Sequence, residues 1–278
     1  MTTGAARVAG VTGWPVKHSL SPRLHGFWLS KLGIDGIYAP FPIEPANFDT
    51  AVRGLRDAGV RGLNVTVPHK RAAFELADHL DDAARLIGAV NTLVFHEDGI
   101  IEGRNTDAPG FMANLLQHGV DPTVGPALVI GAGGAARAAV HGLLEAGAPR
   151  ILLSNRSAGR AEDLIRDAGD ARLGMAESIS EKQILAGTRL VVNTTSLGMG
   201  GKGCPELDLS ALPPDAVVHD IVYTPLETPF LAAARARGLK TADGLGMLLH
   251  QAAPAFEAFF GASAGVDSEL RKHLLEVL

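Results

Sequence analysis

The chain has 278 residues, 46% hydrophobic and 20% charged, with a formal net charge of −5, enough to fill the core of one large domain or two modest ones. The acidic balance, with no block of like charge, argues against a nucleic-acid partner. One cysteine, Cys204, excludes an intramolecular disulfide, and the opening MTTGAARVAGV has no apolar run for export or a bilayer, so a soluble, cytoplasmic protein without a membrane partner is expected.

In chain order, RVAGVTG reads as a short strand. SPRLHGFWLSKLG reads as a helix with Ser21 as its cap and a proline at its first position. IYAPFPI reads as a strand whose prolines suit a sheet edge. FDTAVRGLRDAG is a helix closed by Gly59. In NVTVPHK, residues 64–70, Asn64 and Thr66 alternate with Val65 and Val67, as in a strand with one polar and one dry face. Pro68 ends that strand and Lys70 follows. Helical stretches are expected over 70–87, and VNTLVFHEDGIIEG reads as a hairpin turning at Asp98-Gly99.

From about residue 107 the pattern becomes regular. PALVIGAGG is a continuous apolar strand of the doubly buried, parallel type. The helix AARAAVHGLLEAG follows, then strands in RILLSNR, RLVVNTTS, AVVHDIVY and LKTADG. Such βα repetition implies an open parallel sheet with helices on both faces. The tail reads as two helices, with Pro254 expected to kink or end the first. Two α/β domains result: 1–106, completed by the helices of 244–278, and 107–243.

VIGAGGAAR joins a strand, a glycine turn and a helix start. Gly131 permits the tight turn, and Gly133 lets backbone approach a pyrophosphate. The helix N-terminus then aims unpaired N–H groups at the phosphates. The next strand ends in LLSNRSAGR, without the acid that accepts the ribose hydroxyls of NAD. Arg156 and Arg160, with Ser157, suit a 2′-phosphate, so NADP is the expected cofactor. In the first domain, Ser19, Ser21, Asn91, Asn105 and Asp107 each have an ordinary reading as caps or turn residues. Together they place amides, hydroxyls and a carboxylate at element ends, where open α/β sheets bind ligands. They suit a small polyhydroxylated molecule.

Taken together, GWPVKHSLSP, GLNVTVPHK, IGAVNTL, GRNTD, VIGAGGAARA, SNRS, VVNTTSLGM, DIVYTP and ADGLGMLLHQA resemble the shikimate dehydrogenase family, in family order from residue 13 to 252. The resemblance implies an α/β substrate domain, a Rossmann-type doubly wound parallel-sheet NADP domain, and C-terminal helices returning to the first. It implies reversible NADPH-dependent reduction of 3-dehydroshikimate to shikimate, in aromatic amino-acid synthesis. Ser19 and Ser21 would hold the substrate carboxylate, with Thr66 near them. Asn64, Asn91, Asp107 and Gln251 would bind ring hydroxyls, and Tyr223 would face the substrate. Lys70 would be the acid/base, with Asp107 its partner. Gly131, Ala132, Gly133, Gly134 and Ala135 would cradle the pyrophosphate. Asn155, Arg156, Ser157 and Arg160 would meet the adenosine end, and Ile221, Gly244 and Met247 the nicotinamide. No metal is implied, and the chain is expected to act as a monomer or homodimer. Departures are Gly26 after His25, where many members have Asn, Ile221 where methionine is common, and Pro254 soon after Gln251.

A lysine ammonium bonded to the carbonyl oxygen would stabilise the charge formed on reduction and deliver the proton. A nearby Asp107 favours the charged lysine. His69 is the other acid/base candidate, pointing elsewhere if Lys70 faces the ligand. Cys204 lies in a glycine-rich loop without a base motif and reads as incidental. The alternatives are an enzyme that also oxidises quinate, with NAD or NADP, and a regulator that kept the fold without catalysis.

Overall fold

A computed structural model describes residues 2–176, 179 and 181–278. It divides into two units, one up to Thr106 together with Leu249–Val277, the other Asp107–Leu248 together with Leu278. The division thus puts residues 244–248 with the second unit, not the first. Gly244 sits tight against the Ile221 backbone, and Met247 lies in that unit's core.

The first unit contains β1 (Arg7–Gly13), α1 (Ser21–Lys31), β2 (Gly36–Pro42), α2 (Phe48–Asp57), β3 (Gly62–Val65), α3 (Lys70–Leu76), β4 (His79–Leu80), α4 (Asp82–Ile87), β5 (Thr92–Phe95) and β6 (Ile101–Arg104). Its sheet runs β2-β1-β3-β5-β6-β4, with β2 at the edge its prolines suggested. The sheet is mixed: β1 is parallel to both neighbours, and β5 is antiparallel to β3 and β6. The β5–β6 hairpin turns where expected, with Gly99 at φ 87. Leu63 and Val65 face one side, in a core with Phe48, Val52, Leu93 and Ile101. On the other side Trp28, Phe256 and the rings of His25 and Tyr38 pack together.

Several local readings change. β3 ends at Val65, so Thr66 and Val67 lie outside the strand, and Val67 is 70% exposed instead of anchored in the core. Ser21 is the first helical residue, not the cap; the cap position is Leu20, and no side chain caps the helix. The stretch 70–87 is two helices with the two-residue β4 between them. Pro254 does not end its helix: α10 runs Leu245–Phe260, and Ala252, Ala255 and Phe256 around the proline are all buried. α11 follows at Ser268–Leu275.

The second unit contains α5 (Asp107–Gln117), β7 (Ala127–Ile130), α6 (Gly134–Glu145), β8 (Ile151–Ser154), α7 (Ala158–Ala168), β9 (Leu173–Met175), α8 (Lys182–Gly187), β10 (Leu190–Asn193), β11 (Val217–Asp220), α9 (Pro229–Ala236) and β12 (Lys240–Ala242). All five ladders are parallel, in the order β12-β11-β10-β7-β8-β9. Both sheet faces are covered, which explains the unbroken apolar runs. Ala127, Val129 and Val192 pack with Val140 and Leu143. Leu128, Ile130 and Val191 pack with Phe230 and Leu231 on the other side. The chain reverses direction across the sheet between β7 and β10, the switch point where this architecture binds dinucleotides.

One ion pair gives the first unit a pH dependence. Two hydrogen bonds from Arg104, of 2.7 and 2.9 Å, hold the Glu102 carboxyl down at about 2. A depressed carboxyl contributes stability that is present above its ordinary value of 4.5 and lost as pH falls through the folded value. Glu102→Gln should therefore lower stability at neutral pH and flatten the acid limb of unfolding between those two values, as followed by circular dichroism, with the two proteins converging below the folded value.

Candidate active site

In the first unit, β1 and β3 run parallel, so the loops that follow them leave the same sheet edge. The antiparallel β5 begins at that edge and β6 ends there, because Asn64 pairs with Thr92 and Thr92 with Arg104. Ser19 and Ser21, then Asn64, Thr66 and Lys70, then Asn91 and Thr106 therefore all lie at or just beyond this end of the sheet. Thr66 is tied into the edge by its backbone, donating to Thr12 O at 2.9 Å and accepting from His69 N.

Buried amides and hydroxyls at this edge form one chain. The Thr106 backbone N–H donates to Asn91 Oδ1 at 2.9 Å, and Asn91 Nδ2 donates to Thr106 Oγ1 at 2.9 Å and Gln251 Oε1 at 3.4 Å. Thr92 Oγ1 donates to Asn91 Oδ1 at 3.0 Å and accepts from Asn64 Nδ2 at 3.1 Å. The Tyr38 hydroxyl donates to Asn64 Oδ1 at 2.6 Å. The Ser21 hydroxyl, at the first helical position of α1, in turn bonds the phenol. Burial keeps the phenol protonated, its pKa well above the ordinary value. Stacked on it at 3.8 Å lies His25, whose own pKa burial lowers to about 3, so the ring pair carries no charge at neutral pH. Four predicted residues, Ser21, Asn64, Asn91 and Gln251, are thus joined. Two that sequence reasoning missed, Tyr38 and Thr92, do the joining. Tyr38 reads as core in an apolar strand. Thr92 could have been found only by knowing that it pairs with Asn64.

Ser19 Oγ accepts from Ser21 N at 3.3 Å, so its own proton is not used in that bond. Lys70 is the first residue of α3 and is half-buried. Its neighbour His69 is 2% exposed, stacks on Phe48 and lies 2.8 Å from Ile43 O through Nε2. Burial lowers the His69 pKa. It is a packed core histidine facing away from solvent.

The second unit carries the remaining residues. β7 ends at Ile130, Gly131 turns with φ 119, and α6 begins at Gly134 with Gly133 as its cap. A Cβ on Gly131 would collide with Thr194 Oγ1, which itself donates to Ile130 O. Gly131 is therefore required both by its φ and by the β10 loop beside it. Ala132 and Ala135 are half-buried in this turn and the first turn of α6, whose N–H groups form an anion-binding end. Beyond β8, Asn155 Nδ2 donates to Ser157 O. Arg156, Ser157 and Arg160 are exposed, and no acid stands at the strand's end. Among the described residues neither arginine has an ion-pair partner within 4 Å.

Asp107 opens α5 and is buried. Ile221 and Tyr223 sit just past β11, in a segment organised by Asp220, which sequence reasoning missed. Asp220 accepts from Asn193 Nδ2, Val222 N and Thr228 Oγ1 at 2.9, 3.0 and 2.7 Å. Burial raises its pKa, against those three bonds. Tyr223 is also raised by burial. Ile221 packs with Met247 against the core of this unit, and Gly244 admits no Cβ against Ile221 O. Cys204 is half-buried in the apolar cluster under α9. Among the described residues no group of histidines, cysteines and acids could hold a metal, and no helix is long and apolar enough to cross a membrane.

A parallel sheet with a glycine turn at its switch point, paired with a mixed-sheet unit bearing a polar edge, defines a nucleotide-binding α/β protein. Comparison with known proteins narrows this. The shikimate dehydrogenase substrate binding domain matches residues 11–93, and the shikimate 5'-dehydrogenase C-terminal domain matches residues 244–268. The shikimate dehydrogenase (NADP(+)) of Paramagnetospirillum magneticum is 55% identical over 98% of this chain and 99% of its own. The crystal structure of shikimate 5-dehydrogenase from Thermus thermophilus, in complex with NADP(H) and shikimate, superposes with a TM-score of 0.85 at 37% identity, covering 96% of this chain and 100% of that one. Quinate dehydrogenase from Corynebacterium glutamicum, in complex with NAD, gives a TM-score of 0.89 at 30% identity, covering 98% of this chain and 99% of that one. The chain belongs to the shikimate dehydrogenase family.

Gly131→Ala should lower the melting temperature, since the left-handed strain is of order 1–3 kcal/mol. It should also weaken dinucleotide binding about tenfold or more by displacing the turn. Thermal unfolding and a fluorescence titration with NADPH measure the two effects.

Proposed function

We propose that this protein is an NADP-dependent shikimate dehydrogenase, reversibly reducing 3-dehydroshikimate to shikimate in aromatic amino-acid synthesis. The observation that carries the reading is the linked set of amides and hydroxyls on one sheet edge, which suits a ring bearing several hydroxyls. The relatives' names and the bound molecules of the Thermus structure support the same substrate.

In this reading Asn64, Asn91 and Gln251 bind ring hydroxyls. Ser19, whose proton is not used by Ser21, donates to the substrate carboxylate, with Thr66 near it. Ser21 joins that contact by exchanging its bond to Tyr38. The glycine turn from Gly131 to Ala135 fits a pyrophosphate, because the α6 N-terminus offers unpaired N–H groups there. Arg156, Ser157, Arg160 and Asn155 fit a 2′-phosphate, since they place two exposed cations and no acid at the end of β8. Ile221, Gly244 and Met247 shape the apolar contact for a nicotinamide. When bound, the reduced dinucleotide supplies the hydride. Lys70 stabilises the charge that forms on the carbonyl oxygen and delivers the proton. Asp107 is its partner and Tyr223 faces the substrate. The protein acts in the cytoplasm on small molecules, as a monomer or homodimer.

A second reading, oxidation of quinate with NAD, is favoured by the likeness to the Corynebacterium enzyme. The end of β8 argues against it, because an NAD ribose finds no acid there. Initial rates with shikimate and quinate, each with NADP and NAD, decide. The proposal expects kcat/KM highest for shikimate with NADP; a preference for quinate with NAD would reverse it.

Two variants follow. Lys70→Ala should lower kcat by about 10²–10⁴ with NADPH affinity unchanged, as expected for loss of an acid/base group. Near-normal turnover in that variant would remove Lys70 from the mechanism. Arg156→Ala with Arg160→Ala should raise KM for NADPH about tenfold or more and leave rates with NADH little changed, since only the 2′-phosphate contact is lost.

A further inference from the structure

An asparagine amide offers a donor at one end and an acceptor at the other, so its orientation decides which hydrogen bond a ligand meets. We propose that Thr92 is a positioning residue that carries the orientation of Asn91, set by the Thr106 peptide, over to Asn64, and so sets the donor and acceptor pattern offered to the substrate ring. The inference rests on the reading of these two asparagines as substrate-binding residues.

The polarity can be followed from one end of the chain to the other. A backbone N–H only donates, so the end of Asn91 that meets Thr106 N at 2.9 Å is its oxygen. Thr92 Oγ1 lies 3.0 Å from that same oxygen and must give it its single proton. Only lone pairs then remain on Thr92, so the end of Asn64 that faces it at 3.1 Å is the NH₂ group. The oxygen of Asn64 therefore turns to Tyr38, whose hydroxyl donates to it at 2.6 Å. Thr92 links the two amides directly, and it is fully buried, so no water replaces it. Its place is fixed by the β3–β5 ladder, where it stands directly opposite Asn64. Asn91 has a backbone anchor of its own. Asn64 depends on Thr92 for the partner of its NH₂ group, so the larger effect of losing Thr92 falls there.

Thr92→Val keeps the β-branched shape that suits a strand and removes only the hydroxyl. Shikimate affinity should be measured by calorimetry in the absence of nucleotide, together with KM, kcat, the dissociation constant for NADPH and the melting temperature. Thr92→Val should weaken shikimate binding and raise its KM about tenfold, the cost of one unsatisfied buried donor. NADPH affinity should stay within about twofold, and Thr92→Ser should restore shikimate binding because the hydroxyl returns. Shikimate affinity unchanged in Thr92→Val overturns the inference, as does an equal loss of shikimate and NADPH affinity with a lowered melting temperature. Should Thr92→Val not fold, Thr92→Ala against Thr92→Ser makes the same comparison, and equal affinities overturn it. Asn64→Ala and Asn91→Ala separate the two levels. If they weaken shikimate binding and Thr92→Val does not, the role of Thr92 fails alone. If neither does, the assignment of the two amides fails and the inference with it.

Discussion

The peptide N–H of Thr106, held 2.9 Å from Asn91 Oδ1, fixes the polarity of the buried chain at the first sheet's edge. Buried polar groups are tolerable only when each finds a partner, and a half-paired network costs more than an apolar core. Here each bond dictates the next, from Asn91 through Thr92 and Asn64 to Tyr38. The uncharged His25–Tyr38 stack closes the far end against the apolar side of the unit. A surface built this way is preorganised: its amides need not reorient when a hydroxylated ligand arrives.

The second unit meets a different constraint. Its sheet is covered on both faces, so its side chains are nearly all committed to packing, and recognition falls to the loops at the strand ends. The β7 turn is held against the β10 loop by Thr194, and the loop beyond β11 by Asp220. Burying Asp220 raises its pKa, yet three hydrogen bonds hold it in place. Rigid loops on a rigid sheet suit a nucleotide that must be gripped along its length.

Much of this was legible in the sequence because periodicity and turn chemistry are local. The apolar run before Gly131, the Asp98-Gly99 turn and the proline-marked edge strand all appear as read. What escaped depends on partners distant in the chain. The two-residue β4 and three-residue β9 are too short to show a period and exist by pairing with β6 and β8. Ser21 looks like a helix cap, but the helix already begins there, with Leu20 at the cap position, and the serine hydroxyl turns to Tyr38. Val67 looks like the dry face of a strand, but β3 has already ended. Pro254 looks like a helix break, but the apolar residues on either side are buried and the helix continues. Most site residues were named through family resemblance and motif order; the residues that orient them, Tyr38, Thr92 and Asp220, were not.

The central claim is that a hydroxylated ring is read by the Asn64 and Asn91 amides in the orientation the buried chain imposes. A crystal structure of this protein with shikimate bound tests it most directly. The account predicts ring hydroxyls within hydrogen-bond distance of both amides, with the Thr92 bridge and the Thr106–Asn91 bond intact. Shikimate bound elsewhere, or an amide turned over with the bridge broken, would contradict it.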